Sequence, residues 1–140
     1  GWGLYSERLA KEQGRFADPM QDFGRLQNEM LRACRLVVDT GAHSKKWSRE
    51  QMIKYMLDNN PTTEAEATKE VERYIDNPAQ ALSYKIGMIK ILDLRDKAKK
   101  ALGPKFDIRD FHDAVLKNGA VPLPILEGLV DSYIAAKKAA

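Results

Sequence analysis

Apolar residues recur at helical spacing along the whole chain, and no stretch alternates as a half-buried strand would. In GWGLYSERLAKEQG, Trp2, Tyr5 and Leu9 share one side, Glu7, Arg8, Lys11 and Glu12 form the wet side, and Gly14 stops the pattern. From Pro19 to about Lys45 a long helix is expected, with Met20, Phe23, Leu26, Met30, Ala33, Val37 and Val38 on one broad apolar face. Ser48 with Gln51 reads as a capping box opening a short helix through Met52, Tyr55 and Met56, which ends at Asn59-Asn60-Pro61. Thr63 with Glu66 repeats the device for a helix through Val71, Tyr74 and Ile75 to Asn77-Pro78. The run AQALSYKIGMIKILDL is apolar nearly all round from Ala81 to Leu94, which predicts a helix enclosed by others.

Gly103-Pro104 ends that helix. Asp107 caps another through Phe111, Val115 and Leu116, closed by Asn118-Gly119, and Pro122 and Pro124 introduce a last one from Ile125 to about Ala136. All six prolines fall between helices or in first turns, where a missing N–H does no harm. The fold class that follows is all-α, with about seven helices packed as an irregular bundle in a single domain spanning 1–140.

One end breaks the pattern. No Ser, Thr, Asp or Asn precedes the first helix and no Met opens the chain. The orphan N–H groups of that first turn would find their partners upstream, so the chain is expected to be a C-terminal fragment of a longer protein. An exposed Trp2 and Tyr5 would then favour a homo-dimer through the first helix.

Composition narrows the functional classes. At 140 residues and 44% hydrophobic, the chain can bury a core. The net charge of +3 comes from interspersed Lys, Arg, Asp and Glu, and the basic clusters Lys97, Lys99, Lys100 and Lys137, Lys138 sit at helix ends, where cations suit the dipole. Nothing resembles the dense basic patch of a nucleic-acid surface, and no run is long and apolar enough for a membrane span. Cys34, the single cysteine, lies in an apolar run and reads as a buried thiol.

Two polar clusters depart from a plain bundle. In RACRLVVDTGAHSKKW, Arg35, Asp39 and His43 follow one another at i, i+4, i+8 and line one helix face, drifting only about 40° per step. An Asp one turn before a His can accept its ring N–H, while the bland alternative is an exposed ladder near a helix C-terminus. Gly41 within it permits close backbone approach. In SYKIG, Tyr84 and Lys85 interrupt an apolar helix and Gly87 leaves room for a neighbour; a snorkelling lysine and a core tyrosine are the bland account. His112, among acidic residues in a first turn, reads as structural. With two histidines and no His-Glu-x-x-His, phosphate loop or Gly-x-Ser-x-Gly, the chain holds no complete catalytic set.

Four segments, GWGLYSERLAKEQG, RLVVDTGAHSKKWSREQMIKYM, TEAEATKEVERYIDNPAQALSYKIGMIKILDLR and FDIRDFHDAVLKNGAVPLPILEGLVD, resemble in order the C-terminal part of the bacterial Domain of Unknown Function 885 family. Gly3 stands where Ala is common in that family. The resemblance implies a helical, gluzincin-like zinc metallopeptidase acting on peptides, with an upstream His-Glu-containing zinc motif and a third ligand, a Glu, just ahead of Gly1. It implies that this chain carries no metal ligand and is inactive without the N-terminal part, and that the intact protein holds zinc and is exported or periplasmic. His43 and Tyr84 would be the catalytic donors to the scissile carbonyl, Arg35 and Lys85 would receive a substrate carboxylate, and Asp39 and Glu7 would orient neighbouring groups. The rival expectation is a non-catalytic helical protein-interaction module.

Overall fold

The computed structural model describes residues 1–139. It is all-α. The helices are α1 (Trp2–Glu12), α2 (Pro19–Lys45), α3 (Arg49–Asn59), α4 (Glu64–Asp76), α5 (Ser83–Leu102), α6 (Ile108–Leu116) and α7 (Leu123–Ala139). Single 3-10 turns cover Gln80–Leu82 and Gly103–Lys105, and the described residues contain no strand. Both capping boxes form: the Ser48 and Thr63 side chains accept the backbone N–H of Gln51 and Glu66, whose own side chains return to the cap N–H. Asp107 accepts the Arg109 N–H at the start of α6. Asp18, just ahead of Pro19, caps α2 in the same way, whereas no side chain caps α1.

The chain divides into two compact units, Gly1–Met88 and Ile89–Ala140. In the first, α2 packs against α3 and α4, α3 against α4, and α1 against α2. Its core joins Cys34 and Val38 of α2 to Met52 and Met56 of α3, Ala67, Val71 and Tyr74 of α4, and Ala81 of the 3-10 turn. In the second unit α6 packs against α7, and Leu94, Phe111 and Val130 are among its fully enclosed side chains.

Three expectations change here. The apolar stripe of α2 faces outward: Met20 is 72% exposed, and Phe23, Leu26 and Met30 are about half exposed. The helix instead buries the edge bearing Cys34, Arg35, Val38, Asp39 and Gly41. A buried Arg and Asp are tolerated there because both are hydrogen-bonded, as buried charge requires. Nor is α5 enclosed on all sides, since Ile86 and Ile89 each keep over two-fifths of their surface. At α1, Leu4 and Tyr5 are buried and Trp2 is half-buried against Tyr5, so the rings expected to lie open are largely covered.

The two helical glycines singled out by sequence both mark close approaches. A Cβ on Gly41 would sit 2.6 Å from the Trp47 indole, so the ring approaches the α2 backbone closely there. A Cβ on Gly87 would sit 2.6 Å from the Gly1 Cα, so the start of α1 crosses α5 backbone to backbone.

Candidate functional site

All six candidate residues lie in the first unit, and an arginine–tyrosine cluster between α2, α4 and the start of α5 organises them. Its anchor is Glu70. Being four and three residues apart, Glu70, Tyr74 and Arg73 share one face of α4. Glu70 Oε2 accepts from Tyr74 Oη, from Arg35 Nη2 at 2.7 Å and from Arg73 Nη2 at 3.1 Å. Burial works against the charge on Glu70, but these three donors outweigh it and hold the carboxyl at about 2, down from 4.5. Burial, and then the bond to Glu70, push the Tyr74 phenol well above its ordinary value. Arg35 is itself buried, and its Nε also donates to Tyr74 Oη at 2.9 Å.

Tyr84 stands on the other side of Arg35. The guanidiniums of Arg35 and Arg32 both lie 5.3 Å from its ring centroid, within cation–π range. Its hydroxyl oxygen accepts from Gln80 Nε2 at 3.3 Å, and Gln80 Oε1 in turn accepts from Arg73. The bond from Gln80 is the main reason the phenol falls below its ordinary value; burial opposes the shift, and the charges of Arg35, Arg73 and Arg32 add to it. An oxygen that accepts keeps its own proton to give. Among the described residues no acceptor takes the Tyr84 proton.

Asp39 and His43 frame the cluster in ways the i, i+4 spacing did not show. Both Asp39 oxygens accept the Ala79 N–H, at 3.1 and 3.2 Å, so this carboxylate is turned to the turn after α4 rather than to the His43 ring. Ala79 has φ +67°, a left-handed conformation costly for a residue with a Cβ, and Asp39 holds it there. That turn delivers Gln80 to Tyr84. His43 is exposed, and its Nε2 lies 2.9 Å from the Tyr74 carbonyl oxygen. A carbonyl can only accept, so Nε2 carries a proton and donates it, which leaves Nδ1 as the ring nitrogen not engaged by Tyr74. Lys85 Nζ is paired with Glu29 and touches Met88 Sδ. Glu7 accepts from Asn28 Nδ2, and its charge reaches Arg32 across the α1–α2 contact.

Of the six, then, Arg35 and Tyr84 meet directly, Asp39 and His43 hold the surrounding backbone, Lys85 is committed to an ion pair, and Glu7 lies beside Arg32. Sequence reading passed over Arg32, Glu70, Arg73, Tyr74 and Gln80. The acid, arginine and tyrosine at i, i+3, i+4 on α4 are the signal that could find those on that helix, but the sequence reading takes it only through its cap and its apolar positions Val71, Tyr74 and Ile75. Glu70 also lines, with Asn28, Asn60 and Thr62, an open hollow of about 320 Å³.

Zinc, implied by the resemblance, asks for at least three His, Cys, Asp or Glu side chains converging on one point. No such group exists among the described residues. The described residues by themselves do not make a zinc centre.

Residues 1–130 match the family described as "Bacterial protein of unknown function (DUF885)". The chain belongs to the DUF885 family. None of the curated proteins matches it. Among solved structures it is similar to the crystal structure of the "putative lipoprotein from Colwellia psychrerythraea", at 53% identity and a TM-score of 0.94 over 96% of this chain. The match takes in 23% of that chain, so this DUF885 sequence spans less than a quarter of that relative's length. No helix among the described residues is long and apolar enough to cross a membrane.

Proposed function

We propose that this chain is the substrate-holding part of a DUF885 peptide hydrolase, a zinc-dependent metallopeptidase whose metal ligands lie outside these residues. The observation that carries the reading is Tyr84, an acidified phenol whose oxygen is fixed by Gln80 and whose proton is unclaimed, set against two guanidiniums. A peptide carbonyl that gains negative charge needs such a preorganised donor. Arg35, neutralised by Glu70, serves by holding Tyr74 and by its field on Tyr84. Asp39 positions the Gln80 turn, and Glu7 tempers the charge of Arg32. His43, whose Nε2–H is engaged by the Tyr74 carbonyl, presents the Nδ1 side of its ring to substrate. Export of the protein is supported by the lipoprotein description of the Colwellia relative.

The test is a family protein carrying this sequence together with the remaining three-quarters of the polypeptide. There Tyr84→Phe should lower kcat by about 10² with KM nearly unchanged, the mark of a lost transition-state donor. An unchanged kcat, or a rise confined to KM, would remove Tyr84 from that role.

A second reading, a non-catalytic interaction module, is favoured by the exposed stripe Phe23, Leu26, Met30 and Val37, whose 3-4-3-4 spacing with Ala33 fits the seam of a helix pair with a second copy. Sedimentation tests it: a monomer at high concentration excludes that dimer.

A further inference from the structure

The cluster holds more positive charge than it neutralises. Arg32, Arg35 and Arg73 supply three cations, and one carboxylate, Glu70, is hydrogen-bonded among them. Arg35 is spent on Glu70 and Tyr74, and Arg73 on Glu70 and Gln80. Lys85, the other cation expected to meet substrate, is spent on Glu29. Arg32 differs. Among the described residues no carboxylate is paired with it; its ring contact with Tyr84 is its one direct partner, and Glu7, which acts on it through charge, is hydrogen-bonded to Asn28. Burial first, and then the neighbouring Arg35, disfavour its charge. A half-buried guanidinium held beside another, with its fork unfilled, is arranged to take an incoming anion, and a planar carboxylate matches that fork bidentately.

We propose that Arg32, stacked on Tyr84, receives the free C-terminal carboxylate of a peptide, in place of Arg35 and Lys85. This deepens the hydrolase reading by naming its substrate class: short peptides with an unblocked C-terminus. The carboxylate would lie beside the Tyr84 ring, and the Tyr84 hydroxyl would face the peptide bond preceding it. Lys85 and Arg35 then act behind the site, one tying α5 to α2 through Glu29, the other holding Glu70 and Tyr74.

The experiment titrates the 140-residue chain with N-acetyl-alanyl-alanine and with its C-terminal amide, reading the arginine Nε–H and tyrosine ring signals by NMR. The acid should shift Arg32 and Tyr84 and the amide should not. Arg32→Gln should weaken acid binding about tenfold or more, whereas Arg49→Gln, an exposed arginine paired with Glu72, should leave it unchanged. Arg32→Lys, which keeps the charge and loses the fork, should fall between. Equal shifts with acid and amide, no shift at Arg32, or acid binding retained in Arg32→Gln would overturn the assignment. Should Arg32→Gln fail to fold, the acid-over-amide preference of the unmodified chain and the Arg32→Lys result decide the matter.

A carboxylate from the rest of the family polypeptide is the other source of the same chemistry. If that is what Arg32 meets, Arg32→Gln in the longer protein lowers its melting temperature and leaves the acid-to-amide ratio of KM unchanged, which refutes the substrate assignment. Hydrolysis is scored separately, in the zinc-supplied longer protein. Carboxylate binding there without turnover would remove the hydrolase reading and leave the Arg32 site standing.

Discussion

Replacing Glu70 with glutamine removes the one charge that three donors share. Tyr74, Arg35 and Arg73 all point to the same oxygen, and Arg35 is buried. Removing one partner of a buried ion pair costs about 3–5 kcal/mol because the other charge is stranded. Glu70 keeps 27% of its side chain in solvent and Gln retains one carbonyl acceptor, so about 2–3 kcal/mol is expected for Glu70→Gln at neutral pH. The pH dependence gives an independent estimate. The folded carboxyl titrates at about 2 rather than 4.5, so its contribution is fully present above the unfolded value and is lost as pH falls from 4.5 toward 2. A shift of that size corresponds to at most about 3–4 kcal/mol, and partial exposure lowers it. Urea unfolding followed by tryptophan fluorescence is the suitable assay, since both tryptophans, Trp2 and Trp47, lie in the unit that carries Glu70. The gap between parent and variant should be 2–3 kcal/mol at pH 7 and should close to under about 1 kcal/mol near pH 2. A gap below about 0.5 kcal/mol at pH 7, the range of an ordinary surface substitution, or one that does not narrow with acid, would refute the claim that Glu70 organises the cluster.

Gly41→Ala places a methyl 2.6 Å from the Trp47 ring; overpacking should exceed the gain in helix propensity, for a net loss of about 1–2 kcal/mol and a red-shifted Trp47 emission. Ala79→Gly relieves a left-handed Ala at φ +67° and should stabilise by about 0.5–1 kcal/mol in thermal melts, whereas Asp39→Ala, which releases the same turn, should cost about 1–2 kcal/mol. Burial pushes the Cys34 thiol up, so labelling by a disulfide reagent at pH 8 should be slow in the folded chain and fast in denaturant; rapid labelling without denaturant would show that the α2–α3 core opens readily.

Helices and their ends were legible because their signals are local. The capping boxes at Ser48 and Thr63, the Asp107 cap and the proline breaks depend on neighbours within one turn, and each appears where the spacing put it. Which face of a helix is buried is not local. The stripe Met20 to Val37 has the period of a core face, yet α2 turns toward α3 and α4 the edge with Arg35 and Asp39, because Glu70, Tyr74 and Ala79 supply partners from up to 40 positions away. The same limit applies at the site. Arg35 and Tyr84 drew attention as polar interruptions, and they do meet. Arg32 reads as an ordinary helix arginine until tertiary contacts show that its neighbours' charges are satisfied and its own is not.

Peptide hydrolysis by a DUF885 protein of the length of the Colwellia relative that carries this sequence is the decisive measurement. With zinc supplied, that protein should release residues from short peptides with a free C-terminus, and Tyr84→Phe should lower the rate by about 10² at unchanged stability. A folded, zinc-loaded protein that cleaves no peptide, or one whose cleavage is indifferent to Tyr84→Phe, would contradict it.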